Sequence, residues 1–252
     1  MRRSAEDMDE VRLMLAAGVP VPDVARELGI PVQTVGRWSR GATAAFGPPP
    51  AVPPWRPPDH WSYAYLLGIY LGDGTVSVTR RGRAFLRVAL DGAYPGIVEE
   101  VRDAIGITTW GGRTQVLYTP GSRVNTVQSA WQRWPEAFPQ HGPGRKHERP
   151  IVLTDWQQAI VDAHPGRFVR GLIHSDGCRT VNRFTTTLPS GRVAEYAYPR
   201  YFFSNLSADI RRLFCEACDA LGVRWTLSNP RNVSVAHRAS VAILEGLVGP
   251  KA

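Results

Sequence analysis

The sequence predicts an α+β chain built on an internal pseudo-two-fold repeat, αββαββα in each half with antiparallel sheets, preceded by a small all-α unit. Three observations predict it. A nine-residue phrase occurs twice, each copy is followed by the same order of strand-like and helix-like segments, and a proline-rich break cuts off the first forty or so residues. The expected divisions are 1–42 for the front unit, 43–58 for a linker, 59–150 for the first half and 151–252 for the second.

The repeated phrase is Leu66-Leu67-Gly68-Ile69-Tyr70-Leu71-Gly72-Asp73-Gly74, and again Val169-Arg170-Gly171-Leu172-Ile173-His174-Ser175-Asp176-Gly177. On a helix, Gly68 and Gly72 share one face, as do Gly171 and Ser175, so two such helices can approach until their backbones nearly touch. Interior glycine costs a helix roughly 0.5–1 kcal/mol relative to alanine, which asks for a packing reason. Each acid falls at a helix C-terminus, where the macrodipole disfavours it, so stability alone does not put it there. Gly74 and Gly177 are expected to be left-handed C-caps. If the helices run parallel, Asp73 and Asp176 come together. Two close carboxylates repel unless a cation intervenes, and oxygen-only ligation suits Mg²⁺ or Mn²⁺.

After Asp73, segments 75–79 and 84–90 read as strands, 94–105 as a helix, and 112–119 and 124–131 as strands. The second copy repeats the order: strands at 179–188 and 193–203, a helix at 207–221 with Ser207 as N-cap, strands at 224–228 and 233–237, and a helix at 240–247. The phrase resembles the defining motif of the LAGLIDADG homing endonucleases, and two copies match that family's single-chain pseudo-dimers. The resemblance covers roughly residues 59–248. It implies a saddle of two antiparallel sheets that grips double-stranded DNA, and metal-dependent hydrolysis of both strands. It also implies Asp73 and Asp176 as metal ligands and catalytic acids, with the carbonyls of Gly72 and Ser175 as further ligands. Basic residues outside the motif assist in the family. Lys146, one of two lysines in the chain, in the loop Gly144–Arg149, is the candidate, with His237 a weaker one. Arg170 and His174 make the second phrase more polar than the family pattern, and His174 is given no role.

A formal net charge of +8 and a pI near 9.9 agree with a nucleic-acid partner. Nearly all the positive charge is arginine, which forks onto phosphate and guanine edges, although a GC-rich genome also favours arginine. Candidate DNA contacts in the halves are Arg80, Arg83, Arg87, Arg113, Gln115, Arg123, Arg149, Arg179, Arg183 and Arg200. For any single one, a merely solvated sheet face remains an alternative.

Residues 48–58 hold seven prolines and are expected to form an extended spacer of about 3 Å per residue, long enough to seat the front unit on a neighbouring DNA segment. Before it, residues 5–17, 21–28 and 32–40 read as helices, the last two joined by a Gly29 turn. This resembles a helix-turn-helix DNA-binding module whose last helix exposes Gln33, Thr34 and Arg37. Residues 1–41 carry six arginines and six acids, so a small interaction domain is the alternative. Three cysteines make no disulfide framework, and Cys215 and Cys218 are expected to be buried thiols rather than zinc ligands. No apolar run reaches membrane-spanning length. A freestanding, monomeric protein of the bacterial cytoplasm, nucleoid-associated, is expected. The rival reading is a non-catalytic transcription regulator on the same fold; an RNA-binding maturase is a third.

Overall fold

The structure, a computed structural model, describes residues 5–40 and 54–249. Helices α1 (Ala5–Ala16), α2 (Val21–Glu27) and α3 (Val32–Ser39) close on a core of their own that includes Met8, Val11, Val24, Ile30, Val35 and Trp38. Gly29 turns the chain between α2 and α3 at φ +60°, a conformation that a Cβ would strain. These are the three helices expected from the sequence.

Residues 41–53, most of the expected linker 43–58, lie outside the described residues. Its far end is no spacer. Trp55 is buried against Tyr63, Trp131 and Trp156, and its main-chain N–H donates to Glu136. The front unit also touches the first half directly. Arg133 Nη1 donates to the Ala16 carbonyl at 3.0 Å, and a Cβ on Gly18 would fall 2.0 Å from Trp131 Nε1. The unit that precedes the proline-rich segment thus lies against the body at Arg133 and Trp131. The indole and guanidinium that receive it had no signal in the sequence.

The first half runs α4 (His60–Asp73), β1 (Gly74–Val78), β2 (Ala84–Asp91), α5 (Pro95–Thr108), β3 (Thr114–Tyr118), β4 (Val124–Ala130) and α6 (Trp134–Ala137). An additional helix, α7 (Asp155–Ala163), precedes the second half. That half runs α8 (Pro165–Asp176), β5 (Gly177–Thr187), β6 (Val193–Ser204), α9 (Ala208–Ala220), β7 (Thr226–Asn229), β8 (Asn232–Val235) and α10 (Arg238–Val248). Each half folds one four-stranded antiparallel sheet, ordered β1-β2-β4-β3 and β5-β6-β8-β7. The αββαββα order thus holds twice. Ser207 caps α9 by accepting from the Ile210 N–H, and Cys215 and Cys218 are buried thiols on that helix.

Alternation fixes which face of each sheet meets the helices. In β2, Ala84, Leu86, Val88 and Leu90 are buried while Arg87, Ala89 and Asp91 are exposed. In the second sheet, Tyr201, Phe203, Val233 and Val235 point inward. One continuous core joins the halves. At its centre α4 is buried on nearly every side, from Ser62 to Leu71, as an apolar-all-round helix must be. Among the described residues no helix is long and apolar enough to cross a membrane.

Candidate functional site

The two motif helices meet through their glycines. A Cβ on Gly171 would lie 2.2 Å from the Tyr65 carbonyl and 3.0 Å from the Ile69 nitrogen; one on Gly68 would lie 2.5 Å from the Phe168 carbonyl. One on Gly72 would strike Ser175 Oγ at 2.2 Å and come within 3.0 Å of Asp176 Oδ2. The contacts advance together along both chains, from Tyr65 and Phe168 to Gly72 and Ser175. The helices therefore run parallel with backbones touching, and both end at the same place. Gly68, Gly72, Gly171 and Ser175 are the helix interface, as the spacing predicts.

Gly74 and Gly177 are not left-handed caps. Their φ values are −86° and −103°, extended backbone, because the chain passes straight from helix into strand. Glycine is still required there: a Cβ would come within 2.6 Å of Tyr70 Cα and of Ile173 Cα respectively.

Asp73 and Asp176 line one cleft of about 530 Å³ together with Gly72, Lys146, Arg149 and Asn205. Lys146 reaches into it from a short 3-10 turn at 146–148. Its ammonium donates to the carbonyls of Tyr70, Leu71 (3.1 Å) and Gly72 (2.9 Å). These carbonyls close the end of α4, where the Tyr70 carbonyl also accepts the Gly74 N–H, and a cation there answers both the negative end of the helix dipole and the charge of Asp73. The Gly72 carbonyl, expected as a metal ligand, is thus held by lysine. Burial pulls the Lys146 pKa down to about 8, while the charges of Asp176 and Asp73 draw it upward. At the end of α8 the arrangement differs: Asn205 Nδ2 donates to Asp176 Oδ2 at 2.6 Å. Asn205 sits in the loop before α9 and had no sequence signal. Asp73 and Ser175 also line a second cleft with His174, Tyr94 and Asp91.

The polar departures in the second phrase are structural. Arg170 and Arg167 clamp Glu100, and Arg170 also donates to the Val248 carbonyl. Buried His174 bonds the Tyr65 hydroxyl at 3.0 Å and the Val248 carbonyl at 3.1 Å. Both fasten α8 to its neighbours. His237 is the exposed N-cap of α10 and does not line the cleft that holds Lys146.

The lysine's burial has a measurable consequence. In metal-free protein the unfolded chain holds this proton up to about pH 10.5, whereas the folded one releases it near pH 8. Between those values the unfolded state binds more protons, so stability rises with pH. The unfolding free energy of the parent, measured against Lys146→Met to cancel other titrations, should climb from pH 8 to pH 10.5. A flat difference would show that the ammonium is not desolvated.

The candidate DNA residues divide by strand parity. On the open face of the first sheet, Thr75, Arg87, Gln128 and Gln115 form a row across all four strands. Arg87 is fixed flat in it, donating to Gln128 Oε1 at 2.6 Å and Ser77 Oγ at 2.9 Å. Arg113 precedes β3 on the same parity, and Arg80 and Arg83 lie exposed at the β1–β2 turn. Arg123 is exposed and pairs with Asp91 at 3.2 Å. On the second sheet Arg200 has the same outward parity: it donates to Ser234 and lies over the Phe202 ring, as Arg87 lies over Phe85, with the order swapped, since by register Arg200 matches Phe85 and Phe202 matches Arg87.

Three expectations need correcting. Arg179 shares the inward parity of Tyr201 and donates to Glu245 of α10, so it braces the helix layer instead of facing outward with Arg200. Arg183 has the same parity as Arg179, on the exposed part of the hairpin beyond the helices. Arg149 is spent on the carbonyls of Gln140, Pro143 and Gly144, holding the loop that carries Lys146. In the front unit Gln33 and Arg37 are exposed on α3 and Thr34 is half-buried.

No family model matches the chain, and no curated protein matches it. Solved structures do. The chain is similar to mesophilic variants of the homing endonuclease I-DmoI, at 15% identity and TM-score 0.47, over 76% of this chain and 97% of that one. It is similar to the I-LtrWI LAGLIDADG homing endonuclease bound to target DNA, at 10% identity and TM-score 0.48, over 76% and 82%. A third is I-DmoI in complex with DNA and Mn, at 15% identity and TM-score 0.46, over 76% and 98%. The likeness is one of fold.

Proposed function

We propose that the protein is a sequence-specific double-stranded DNA endonuclease of LAGLIDADG type, acting as a single-chain pseudo-dimer. The observation that carries this reading is the convergence of Asp73 and Asp176 on one cleft, at the ends of two parallel helices whose glycines serve no purpose but close approach. Stability does not ask for acids there.

The donors fit a hard divalent cation such as Mg²⁺ or Mn²⁺: two carboxylates and the carbonyl of Ser175, all oxygen. Among the described residues no group of three or more His, Cys, Asp or Glu side chains is placed to hold a metal. Phosphate oxygens of the DNA would therefore complete the coordination. When bound, such an ion lowers the pKa of water and neutralises charge developing on the scissile phosphate. The chain's own residues do the rest. Asn205 orients the Asp176 carboxylate, Arg149 fixes the loop, and Lys146 supplies a positive charge beside the reacting strand. Arg87 and Arg200, laid flat on the open faces, meet base edges and phosphates, and α3 adds contacts through Gln33 and Arg37.

A second reading has one observation in its favour. Lys146 already satisfies the Gly72 carbonyl, so one ligand position is filled by a resident cation, as suits a DNA-binding regulator that no longer cuts. Selection of bound duplexes from a randomised pool, followed by Mg²⁺, separates the two. An enriched pool that is cut supports the endonuclease; an enriched pool that stays intact supports the regulator.

A further inference from the structure

The two halves differ most in their first hairpin. Strand β5 has 11 residues where β1 has 5, and β6 has 12 where β2 has 8. At about 3.3 Å per residue, the six extra residues of β5 carry the second hairpin roughly 20 Å beyond its counterpart. That is about six base pairs at 3.4 Å each.

This overhang carries three aromatic rings on its open side. Cross-strand partners Phe184 and Tyr196 stack at 5.4 Å, and Tyr198 stacks on Tyr196 at 5.9 Å. Phe184 is 46% and Tyr198 49% exposed, so the cluster is not part of the core. By parity these rings continue the face that presents Arg200 and Phe202. Charge identifies what covers them: by parity Arg192 and Arg200 share their face, while the one acid of residues 177–204, Glu195, lies on the other. A polyanion with apolar groups exposed along a groove suits both features, and in the major groove of DNA those groups are the C5-methyls of thymine.

We propose that the β5–β6 hairpin extends the DNA contact on one side only, and that Phe184, Tyr196 and Tyr198 read thymine methyls there as specificity-determining residues. The proposal rests on the DNA-binding reading above. It makes the target asymmetric: the half-site under the second sheet is longer by about six base pairs, and thymine-rich at its outer end.

The test is parallel selection from a randomised duplex pool with the full chain and with the triple variant Phe184→Ser, Tyr196→Ser, Tyr198→Ser. Thermal melts of both, and the single variant Phe184→Ser, control for folding. The parent should enrich thymines on one flank, and the variant should lose that flank while keeping the central preference. Replacing the flanking thymines by deoxyuridine should weaken the parent about fourfold per methyl, equivalent to ~0.8 kcal/mol, and leave the triple variant unchanged. Identical flanks in the two pools, or indifference of the parent to deoxyuridine, would overturn the inference while leaving DNA binding intact. Enrichment of no duplex by either protein would overturn the DNA-binding reading and the inference with it.

Discussion

Asp73→Asn or Asp176→Asn should lower single-turnover cleavage of the selected duplex by about a thousandfold or more while leaving affinity unchanged or slightly tighter. Asparagine keeps the size of the side chain and an oxygen acceptor, so Asn205 can still donate to position 176. What disappears is one negative charge at the point where a divalent cation meets the scissile phosphate. Ligands of that kind are worth several kcal/mol to the transition state, and each 1.36 kcal/mol is a factor of ten. Binding is set elsewhere, by Arg87, Arg200 and the rest of the open faces, and removing an acid beside a polyanion can only ease it. A loss of affinity as large as the loss of rate would mean the carboxylates build the fold instead of the chemistry.

The second large effect is on stability. Gly171→Val should unfold the protein at physiological temperature or lower its melting temperature by roughly 6–12 °C or more, since a backbone clash puts it at or above the upper end of overpacking costs, about 3 kcal/mol, and each kcal/mol is about 2–4 °C at this size. The obstruction is backbone: the new Cβ would lie 2.2 Å from the Tyr65 carbonyl, and no rotamer relieves it. Separating α4 from α8 would also part Asp73 from Asp176. Gly246→Ala on α10 is the control, with nothing within 4 Å of the added carbon, and should be neutral or stabilising by about 0.5–1 kcal/mol. Equal melting temperatures for the two variants would contradict the glycine-mediated helix contact.

Much of this was legible in the sequence because it is doubled. One glycine followed four residues on by a small residue and then Asp-Gly is an ordinary turn; two such phrases in register fix two parallel helices and, through them, both acids. The hairpins were legible too, yet which arginines face outward was not. Residues 177–187 have no clean alternation, so only the pairing of Gly177 with Phe203 reveals that Arg179 points toward α10. The scarcity of lysine singled out Lys146, but its three carbonyl partners lie more than seventy residues away in α4, and nothing local encodes such a contact. Asn205 was hidden for the same reason. Helix α7 did have a signal: Thr154 and Gln157 have the capping-box spacing, and the Thr154 N–H donates to Gln157 Oε1. The glycines after each acid were expected to be caps because Asp-Gly reads as a turn. The strand that follows immediately overrides that local preference.

The most direct measurement is strand-resolved cleavage. A selected duplex, labelled separately at each 5′ end, is incubated with the parent protein with and without Mg²⁺. The account predicts cuts in both strands that appear only with metal and lie within a few base pairs of each other, opposite the ends of α4 and α8. An intact duplex under conditions where the complex persists would contradict it.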